Sequence, residues 1–559
     1  MNYVNAVSAH PEPQFARENF VSLDGEWRVA LNGGAPRTVR VPYCIESELS
    51  GIGEKSLITD LVYTRTFRLP EAMRGGRVFL HFGAVDHTAE VFVNGSPAGR
   101  HSGGYTPFAF DVTDFLRDGE NALEVRVHDD VRENFPSGKQ TKRDVSYGCF
   151  YTRTTGIWQS VWLEAVPEQY LCAVRFFPDA SAGKVGIEVT VRTEGEFSAE
   201  IEYGGKAVGG CAGKVVHKRL FEAELSEKHL WESGKGRLYG VRLQFEGDTV
   251  YSYFGLRDVR YEGKTFLLNG KPLFQRLVLD QGYYEKGIYT PEKEECFAED
   301  IRLAREAGFN GARLHQKLFD PRYLFECDRT GFIVWGEYPS WGMEYHDLAG
   351  LGAFLGEWRE AMERDFNRPS VITWCPLNEV WDDLDDARLG RDVRFVDAVY
   401  SFTKALDPTR PCVDVSGGTH GNRTDVADFH CYDVFEKLKE RMEGAFRGQF
   451  DFMQMYREGE GIGYKGEPLN LSEFGGVSVG GDGWGYETAG SEEQFVADYE
   501  RTVRYLLSCG QLSGFCYTQL YDVEQEQNGL YTYGRKPKFS EEGMRRIRAA
   551  NEAPAAIEK

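Results

Sequence analysis

The sequence lacks the features of a secreted, membrane-spanning or nucleic-acid-binding protein. Its 559 residues carry a net charge of −22, which disfavours nucleic acids and anionic membrane surfaces as partners. No apolar run approaches the ~20 residues that a membrane-spanning helix needs. The first residues contain neither the basic segment nor the apolar segment of a secretion signal. We therefore expect a cytoplasmic protein with no membrane partner and no nucleic-acid partner.

The spacings of disulfide frameworks and metal sites are missing as well. The number of cysteines is 11, which is odd, and no CxxC or Cys/His ligand spacing occurs among them. Four of them lie inside apolar runs: Cys375, Cys412, Cys431 and Cys516. We expect buried free thiols and no zinc site, we assign no residue as a metal ligand, and we expect no cofactor; a structural metal elsewhere stays open. A chain of this length without internal repeats is expected to divide into about three ordinary domains.

The first 262 residues show the alternation that is typical of β-strands. Apolar and polar residues alternate in short runs that end in turn residues, as at 89–93, which is followed by Asn94-Gly95. Many short strands at this spacing favour a jelly-roll β-sandwich over residues 1–167. The alternation continues over residues 168–262, a length that suits an immunoglobulin-like β-sandwich.

From residue 263 onward, helical patterns alternate with short apolar strands. Helices are predicted over residues 294–307, 321–329, 354–367, 393–405 and 492–507. Strands are predicted over residues 272–278, 311–315, 332–337, 371–380, 411–415, 426–430, 468–473 and 513–517. Eight strands interleaved with helices indicate a (β/α)8 TIM barrel over residues 263–559. Residues 551–559 are expected to form a frayed tail.

Polar residues stand at the ends of most predicted barrel strands. The carboxyl ends of barrel strands share one rim, so these side chains are expected to converge on one pocket. In strand order they are Asp280, Arg313, His315, Glu337, Asn378, Glu379, His430, Tyr432, Glu473, Tyr517 and Gln519.

Two of these residues, Glu379 and Glu473, come from strands four and seven and are predicted to face each other. A pair of facing carboxylates suits glycoside hydrolysis, in which one is the protonated acid and the other is ionised. The adjacent Asn378 can bind a sugar 2-hydroxyl group. His315 and His430 suit either a contact to substrate or a structural role. Glu337 suits a direct contact to substrate and the orientation of other site residues equally well.

Aromatic residues make up 14% of the chain, which fits both large cores and sugar-binding surfaces. Trp341 and Trp484 follow strands three and seven and are the better candidates for a platform, an aromatic face on which a sugar ring stacks. Trp374 suits either the core or such a platform. The acidic segment with Asp382, Asp383, Asp385 and Asp386 lacks the glycine turn of a calcium loop. We expect it to be a solvated rim.

Long ordered motifs give the chain a resemblance to glycoside hydrolase family 2, the group of β-galactosidases, β-glucuronidases and β-mannosidases. The matching segments include 23–27, 91–95, 101–108, 155–162, 266–272, 310–315 and 327–337. The resemblance implies that Glu379 is the acid/base and Glu473 the nucleophile of a retaining double displacement. It further implies a small-molecule glycoside or oligosaccharide as substrate, while homo-oligomerisation stays open.

The loop after strand eight departs from the glucuronide-type pattern. Glu526-Gln-Asn528 stands where those relatives have Asn-x-Lys, so a sugar carboxylate would face Glu526. This departure favours a β-galactosidase. Two enzyme alternatives stay open: another neutral β-glycosidase, or a β-hexuronidase that binds its carboxylate through Arg535, Lys536 or Lys538. A non-catalytic sugar-binding protein is a more remote alternative.

The strand-one end, around Asp280, also departs from the family, since it lacks the histidine of many relatives. We expect the N-terminal sandwich to act as a packing partner or interface. The full set of predicted substrate-binding residues is Asp280, His315, Glu337, Trp374, Asn378, His430, Tyr432, Trp484, Tyr517, Glu526 and Asn528.

Overall fold

The structure is a computed structural model that describes residues 2–130, 134–380, 391–450, 455, 462–480 and 483–559. The acidic segment with Asp382, Asp383, Asp385 and Asp386 lies outside the described residues, so its role as a solvated rim stays a prediction. Within the described part of the chain, no helix combines the length and the apolar character that a membrane crossing requires.

A short helix and twelve strands make up the first part of the chain. They are α1 (Tyr3–Ala6), β1 (Phe20–Ser22), β2 (Gly25–Leu31), β3 (Arg37–Val41), β4 (Asp60–Arg68), β5 (Arg77–Phe82), β6 (Val85–Asp86), β7 (Thr88–Val93), β8 (Ser96–Ser102), β9 (Phe108–Asp111), β10 (Glu120–His128), β11 (Gly156–Ile157) and β12 (Val161–Val166). Antiparallel sheets of order β1-β12-β5-β9 and β3-β2-β4-β10-β7-β8 enclose one apolar core. Every second residue of β10 is buried, which confirms the predicted sandwich.

Seven strands form a second sandwich. They are β13 (Leu171–Asp179), β14 (Lys184–Val191), β15 (Gly195–Tyr203), β16 (Lys206–Val215), β17 (Lys218–Glu224), β18 (Tyr239–Phe245) and β19 (Asp248–Phe254). Their sheet orders are β13-β14-β17 and β16-β15-β18-β19. A three-plus-four antiparallel arrangement around its own core is the immunoglobulin-like architecture that the strand spacing predicts.

A small antiparallel sheet precedes the barrel, which contains parallel strands alternating with helices. The small sheet consists of β20 (Val259–Glu262), β21 (Thr265–Leu268) and β22 (Lys271–Pro272). The barrel elements are β23 (Gln275–Asp280), α2 (Glu295–Glu306), β24 (Gly311–Leu314), α3 (Pro321–Thr330), β25 (Ile333–Glu337), α4 (Leu351–Asp365), β26 (Val371–Cys375), α5 (Val393–Leu406), β27 (Ala427–Cys431), α6 (Phe435–Phe446), β28 (Leu469–Gly475), β29 (Val477–Val479), β30 (Glu487–Ala489), α7 (Glu492–Ser508), β31 (Leu512–Thr518) and α8 (Glu541–Asn551).

Seven of the barrel strands form one curled parallel sheet, with the order β26-β25-β24-β23-β31-β28-β27. The predicted fifth strand, 411–415, is present only as isolated parallel bridges from Trp374 to Cys412 and from Asn378 to Ser416. It still lies beside β26, because Trp374 N–H donates to the Pro411 carbonyl at 3.0 Å. The barrel prediction is thus confirmed, with a weakened strand at the fifth position.

Helix α3 shows how local sequence sets the barrel elements. Asp320 caps it by accepting from Arg322 N–H, Pro321 occupies its first turn, and Gly331 ends it with a φ of +73°. Glycine adopts this left-handed conformation without strain, so the chain can turn directly into β25.

The end of the chain is folded, and the predicted frayed tail is wrong. Asn551 is fully buried, and its carbonyl accepts from Arg276 Nε at 2.7 Å. Arg276 also binds the Glu558 carboxylate at 2.7 Å. These contacts attach the last residues to the start of barrel strand one. Helices α6 and α8 were missed, although Leu438 and Met442 show helical spacing.

Candidate active site

Arg313, near the end of β24, lies at the centre of the polar rim. Its side chain is fully buried. Its Nε donates to Glu337 Oε2 at 2.6 Å, and its Nη1 donates to Glu473 Oε1 at 2.6 Å. Its Nη2 donates to Asn378 Oδ1. One guanidinium therefore fixes side chains from strands three, four and seven, which the sequence predicts to converge.

Glu473, on β28, is held as an oriented carboxylate. The Tyr432 hydroxyl donates to its Oε2, and His430 Nε2 lies 3.4 Å from its Oε1. Burial alone raises the pKa of Glu473, but His430 and Arg313 outweigh it and hold that pKa well below its ordinary value. An ionised and fixed carboxylate is what a nucleophile at a sugar carbon requires.

Glu379 follows strand four and faces Glu473. Its backbone φ of +50° lies in the left-handed region that non-glycine residues rarely adopt. The turn is held because Glu379 N–H donates to the Ser416 carbonyl at 2.8 Å. Oxygen atoms of the two carboxylates lie within 4.8 Å of each other. The Glu379 side chain is 17% exposed, whereas that of Glu473 is 3% exposed, so Glu379 is the carboxylate that solvent reaches.

His430 connects the two carboxylates. Its Nδ1 lies 2.9 Å from Glu379 Oε1, while its Nε2 points to Glu473 and lies 3.2 Å from Ser416 Oγ. Burial lowers the pKa of His430, but Glu473 and Glu379 raise it above the ordinary value. A protonated imidazole here donates to Glu379 and attracts Glu473 through its charge. Ligand atoms of Glu379, His430 and Glu473 could also hold a metal ion, since all lie within 4.8 Å of one another.

Asn378 offers one open donor beside the carboxylates. Its Oδ1 accepts from Arg313, and its backbone N–H donates to Ser340 Oγ at 3.2 Å. Its Nδ2 is buried and has no hydrogen-bond partner among the described residues. An oriented amide N–H next to Glu379 matches the predicted contact to a sugar 2-hydroxyl.

His315 and Glu337 form a second buried pair on the rim. His315 Nδ1 lies 2.8 Å from Glu337 Oε1, which also accepts from Gln316 N–H at 2.9 Å. Burial, Lys139 and Arg313 all lower the pKa of His315. Glu337 thus orients Arg313 and His315, the orienting role that the sequence left open.

Aromatic rings line two sides of the barrel mouth, the opening at the carboxyl ends of the barrel strands. Tyr432 stacks on Tyr486 with ring centroids 3.6 Å apart, and Trp484 lies 5.0 Å from Tyr486. On the other side, Trp341 lies 6.3 Å from the His315 ring and 5.3 Å from Phe150. Both tryptophans that the sequence predicts as sugar platforms therefore lie at the mouth, beside two rings that the sequence did not single out, Tyr486 and Phe150.

Residues of the first sandwich complete this mouth. Tyr151 is fully buried, and its hydroxyl donates to Glu526 Oε2. Glu526 Oε1 accepts from Asn528 Nδ2 at 3.0 Å, and Asn528 Oδ1 accepts from Gln519 Nε2 at 2.7 Å. Lys139 is buried next to Tyr151 and Trp341. Glu526 and Asn528 thus belong to a chain of side-chain hydrogen bonds that runs from Tyr151 to Gln519.

Lys139 and Tyr151 could not be predicted as site residues, because they precede the barrel by more than a hundred residues. No local motif distinguishes either of them, and only the packing of the first sandwich against the barrel brings them to the mouth. Tyr486 lies after strand seven, close to Trp484, and an aromatic pair after a strand end is the signal that would have found it.

Three predicted contact residues do not face the pocket. Asp280 is fully buried and accepts from Gly282 N–H, Tyr323 and Tyr521, so its oxygens are engaged. The Trp374 indole donates to Asp407 and packs on Trp358 of α4, outside the strands. Tyr517 packs between Phe474 and Tyr499 of α7. These contacts are structural, and a role of the three residues as substrate contacts stays a prediction.

The two sandwiches, the barrel and the facing carboxylates together are the architecture of a glycoside hydrolase. Residues 8–167 match the family described as "Glycosyl hydrolases family 2, sugar binding domain", and residues 259–488 match "Glycosyl hydrolases family 2, TIM barrel domain". The chain belongs to glycosyl hydrolases family 2.

Named relatives carry different activities. A β-galactosidase of Thermoanaerobacter pseudethanolicus is 27% identical over 62% of this chain and 47% of its own length, so this chain spans about half of that relative. A β-glucuronidase of Chlorocebus aethiops is 26% identical over 75% of this chain and 69% of its own length. The solved structure of a β-D-glucuronidase of Dictyoglomus thermophilum superposes with a TM-score of 0.79 at 21% identity, covering 97% of this chain and 99% of that chain.

Proposed function

We propose that the protein is a retaining exo-β-glycosidase whose preferred terminal sugar is a hexuronide. The observation that carries the proposal is the carboxylate pair, with oxygens of Glu379 and Glu473 within 4.8 Å. Retaining glycosidases have their carboxyl groups about 5–5.5 Å apart, whereas inverting enzymes leave about 6.5–9.5 Å for a water molecule. The short separation supports a double displacement.

The site residues divide the work of that reaction. Glu473 attacks the anomeric carbon while Glu379 protonates the departing oxygen, and this step forms a glycosyl-enzyme ester. Glu379 then removes a proton from water, which attacks the same carbon and releases Glu473 as a carboxylate. Asn378 Nδ2 donates to the 2-hydroxyl, and Tyr432 and Arg313 keep the nucleophile aligned.

The sugar preference departs from the β-galactosidase that the sequence favours. That prediction rested on Glu526 facing the sugar carboxylate, whereas Glu526 is buried and its oxygens accept from Tyr151 and Asn528. The β-glucuronidase among the relatives supports a hexuronide. A β-galactoside remains the second candidate, supported by the β-galactosidase relative.

A panel of nitrophenyl β-glycosides tests the proposal: glucuronide, galacturonide, galactoside, glucoside and mannoside. We expect the highest kcat/KM on a uronide and a β-anomer as the first product in NMR spectra. Glu473→Gln should lower kcat by about 10⁴-fold or more.

Glu357→Gln is the matched control, because Glu357 is also a buried carboxylate that accepts a tyrosine hydroxyl, from Tyr338 at 2.8 Å. It lies on α4 and should keep near-normal activity. An α-anomer as first product, or equal rates for wild type and Glu473→Gln, would contradict the assignment of the nucleophile. A preference for galactosides would contradict the uronide alone.

A further inference from the structure

A loop of the first sandwich reaches the barrel mouth and is fixed there. Gln525 Nε2, from the strand-eight loop, donates to the carbonyls of Gly148 at 2.8 Å and Phe150 at 3.0 Å. Thr152 N–H donates to the Glu524 carboxylate at 3.1 Å. At Gly138 any side chain would collide with the Gln316 carbonyl oxygen. The loop is therefore docked tightly on the barrel rather than lying loosely across it.

Within this loop, Lys139 is held from both sides. Tyr151 N–H donates to the Lys139 carbonyl at 2.8 Å, and Thr141 N–H donates to the Tyr151 carbonyl at 2.8 Å. The Lys139 side chain is only 4% exposed. Its Nζ lies 5.1 Å from the ring centre of Trp341 and 5.9 Å from that of Tyr151. The ammonium group thus lies between two aromatic faces, one of them the Trp341 ring that also neighbours His315.

Lys139 shares its electrostatic surroundings with the two facing carboxylates, Glu379 and Glu473. Burial lowers the pKa of Lys139, but the carboxylates of Glu526, Glu473 and Glu379, which share its surroundings, together with the Cys149 thiol, raise it above the ordinary value. Among the described residues, no carboxylate oxygen lies within 4.0 Å of the Lys139 Nζ, the distance limit for an ion pair. A buried cation without a paired anion is costly unless a ligand supplies one.

The other cations near the mouth are already bound. Arg535 pairs with Asp300 at 3.0 Å, and Lys538 pairs with Asp522 at 2.8 Å. Lys536 is on the exposed surface. Of the three basic residues that the sequence offered as carboxylate ligands, Arg535 and Lys538 are therefore paired with carboxylates and Lys536 is exposed. Arg313 is likewise engaged by Glu337, Glu473 and Asn378.

We propose that Lys139, supplied by the N-terminal sandwich, binds the carboxylate of the terminal hexuronide and thereby sets the sugar specificity of the barrel site. The proposal rests on the proposed glycosidase function and names one specificity residue for it. A buried ammonium that little solvent reaches binds a carboxylate through a charge-assisted hydrogen bond. The uncharged hydroxymethyl group of a hexoside cannot replace that interaction, so a hexoside leaves the ammonium unpaired.

The test compares Lys139→Met with wild type on nitrophenyl β-glucuronide, β-galacturonide, β-glucoside and β-galactoside. We expect the ratio of kcat/KM for the better uronide to that for the matching hexoside to fall at least 100-fold, mostly through KM. Lys139→Arg should recover part of the ratio. Lys142→Met is the control, because Lys142 is an exposed lysine of the same loop, and the ratio should stay at the wild-type value.

A second measurement covers a variant or substrate with little turnover. Inhibition constants for free D-glucuronate and D-glucose should converge in Lys139→Met, through weaker glucuronate binding. Equal losses on uronides and hexosides would overturn the proposal, because they indicate a purely structural role. A wild type that prefers hexosides would overturn it as well, while leaving the glycosidase function intact. Absence of activity on every glycoside, with Lys139-dependent glucuronate binding, would contradict the proposed function alone.

Discussion

Removal of the Arg313 guanidinium should weaken both the fold and the ionisation of the nucleophile. Arg313 is fully buried and binds Glu337, Glu473 and Asn378. In Arg313→Met, two buried carboxylates lose their cation, which costs about 3–5 kcal/mol of unfolding free energy. Unit charges about 4 Å apart interact by about 4 kcal/mol at an effective dielectric constant near 20, which equals about three pKa units.

The sign of the pH effect follows from the native pKa of Glu473. That pKa is depressed by His430 and Arg313 against the effect of burial, so the wild-type nucleophile stays ionised well below its ordinary range. Without Arg313 the pKa rises, although His430 and Lys139 remain. The acidic limb of the kcat/KM profile should therefore move upward by at least about one pH unit.

The assay is a pH–rate profile of kcat/KM on the best nitrophenyl glycoside, combined with urea unfolding. Arg276→Met is the matched control, since Arg276 is also buried and binds a carboxylate, Glu558, but at the start of barrel strand one. It should lose stability without shifting the acidic limb. Arg313→Lys keeps a charge and should restore much of the limb. A folded Arg313→Met enzyme with an unshifted limb would refute the reasoning.

Two further predictions concern a buried lysine and the carboxylate pair. Lys317 donates to the carbonyls of Gly282 and Tyr289, and burial lowers its pKa to about 7; between pH 7 and its unfolded value near 10.5, the unfolded state binds more protons. The free energy of unfolding of the wild type, measured with urea, should therefore rise by about 1.4 kcal/mol per pH unit between pH 7.5 and 9.5 relative to that of Lys317→Met. The control is Lys286→Met, because Lys286 is exposed. Parallel plots of unfolding free energy against pH for wild type and Lys317→Met would contradict the lowered pKa of Lys317. Exhaustive EDTA treatment should leave activity unchanged, because the chemistry needs a proton on Glu379 and a free carboxylate on Glu473. A loss of activity that one divalent metal restores would contradict this prediction and would favour a metal ion held by Glu379, His430 and Glu473.

The barrel rim could be predicted because strand order alone decides where strand ends meet. Residues such as Arg313, Glu337 and Glu473 needed only the alternation of strands and helices to be placed on one edge. The helix predicted over residues 321–329 agrees with α3, which Asp320 and Gly331 cap in the structure.

The direction of a side chain within the barrel could not be predicted in the same way. All five residues of β26 are buried, because helices cover one face of a barrel strand and the interior covers the other. The sequence therefore carries no polar alternation that separates inward from outward positions. For this reason the outward direction of Trp374, toward Asp407, could not be predicted. Asp280 accepts from hydroxyl donors on α3 and on the strand-eight loop, and no local sequence pattern brings these donors together.

The placement of Lys139 changes the role expected of the N-terminal sandwich. A sandwich that serves only as packing partner could be exchanged without altering the choice of sugar. Here its loop supplies a buried ammonium and the Tyr151 hydroxyl that donates to Glu526. In our proposal, the barrel carries the two catalytic carboxylates, while the N-terminal sandwich carries the group that binds the sugar carboxylate. Sugar specificity in this chain can then change through substitutions in residues 134–158, with Glu379, Glu473 and Arg313 left in place.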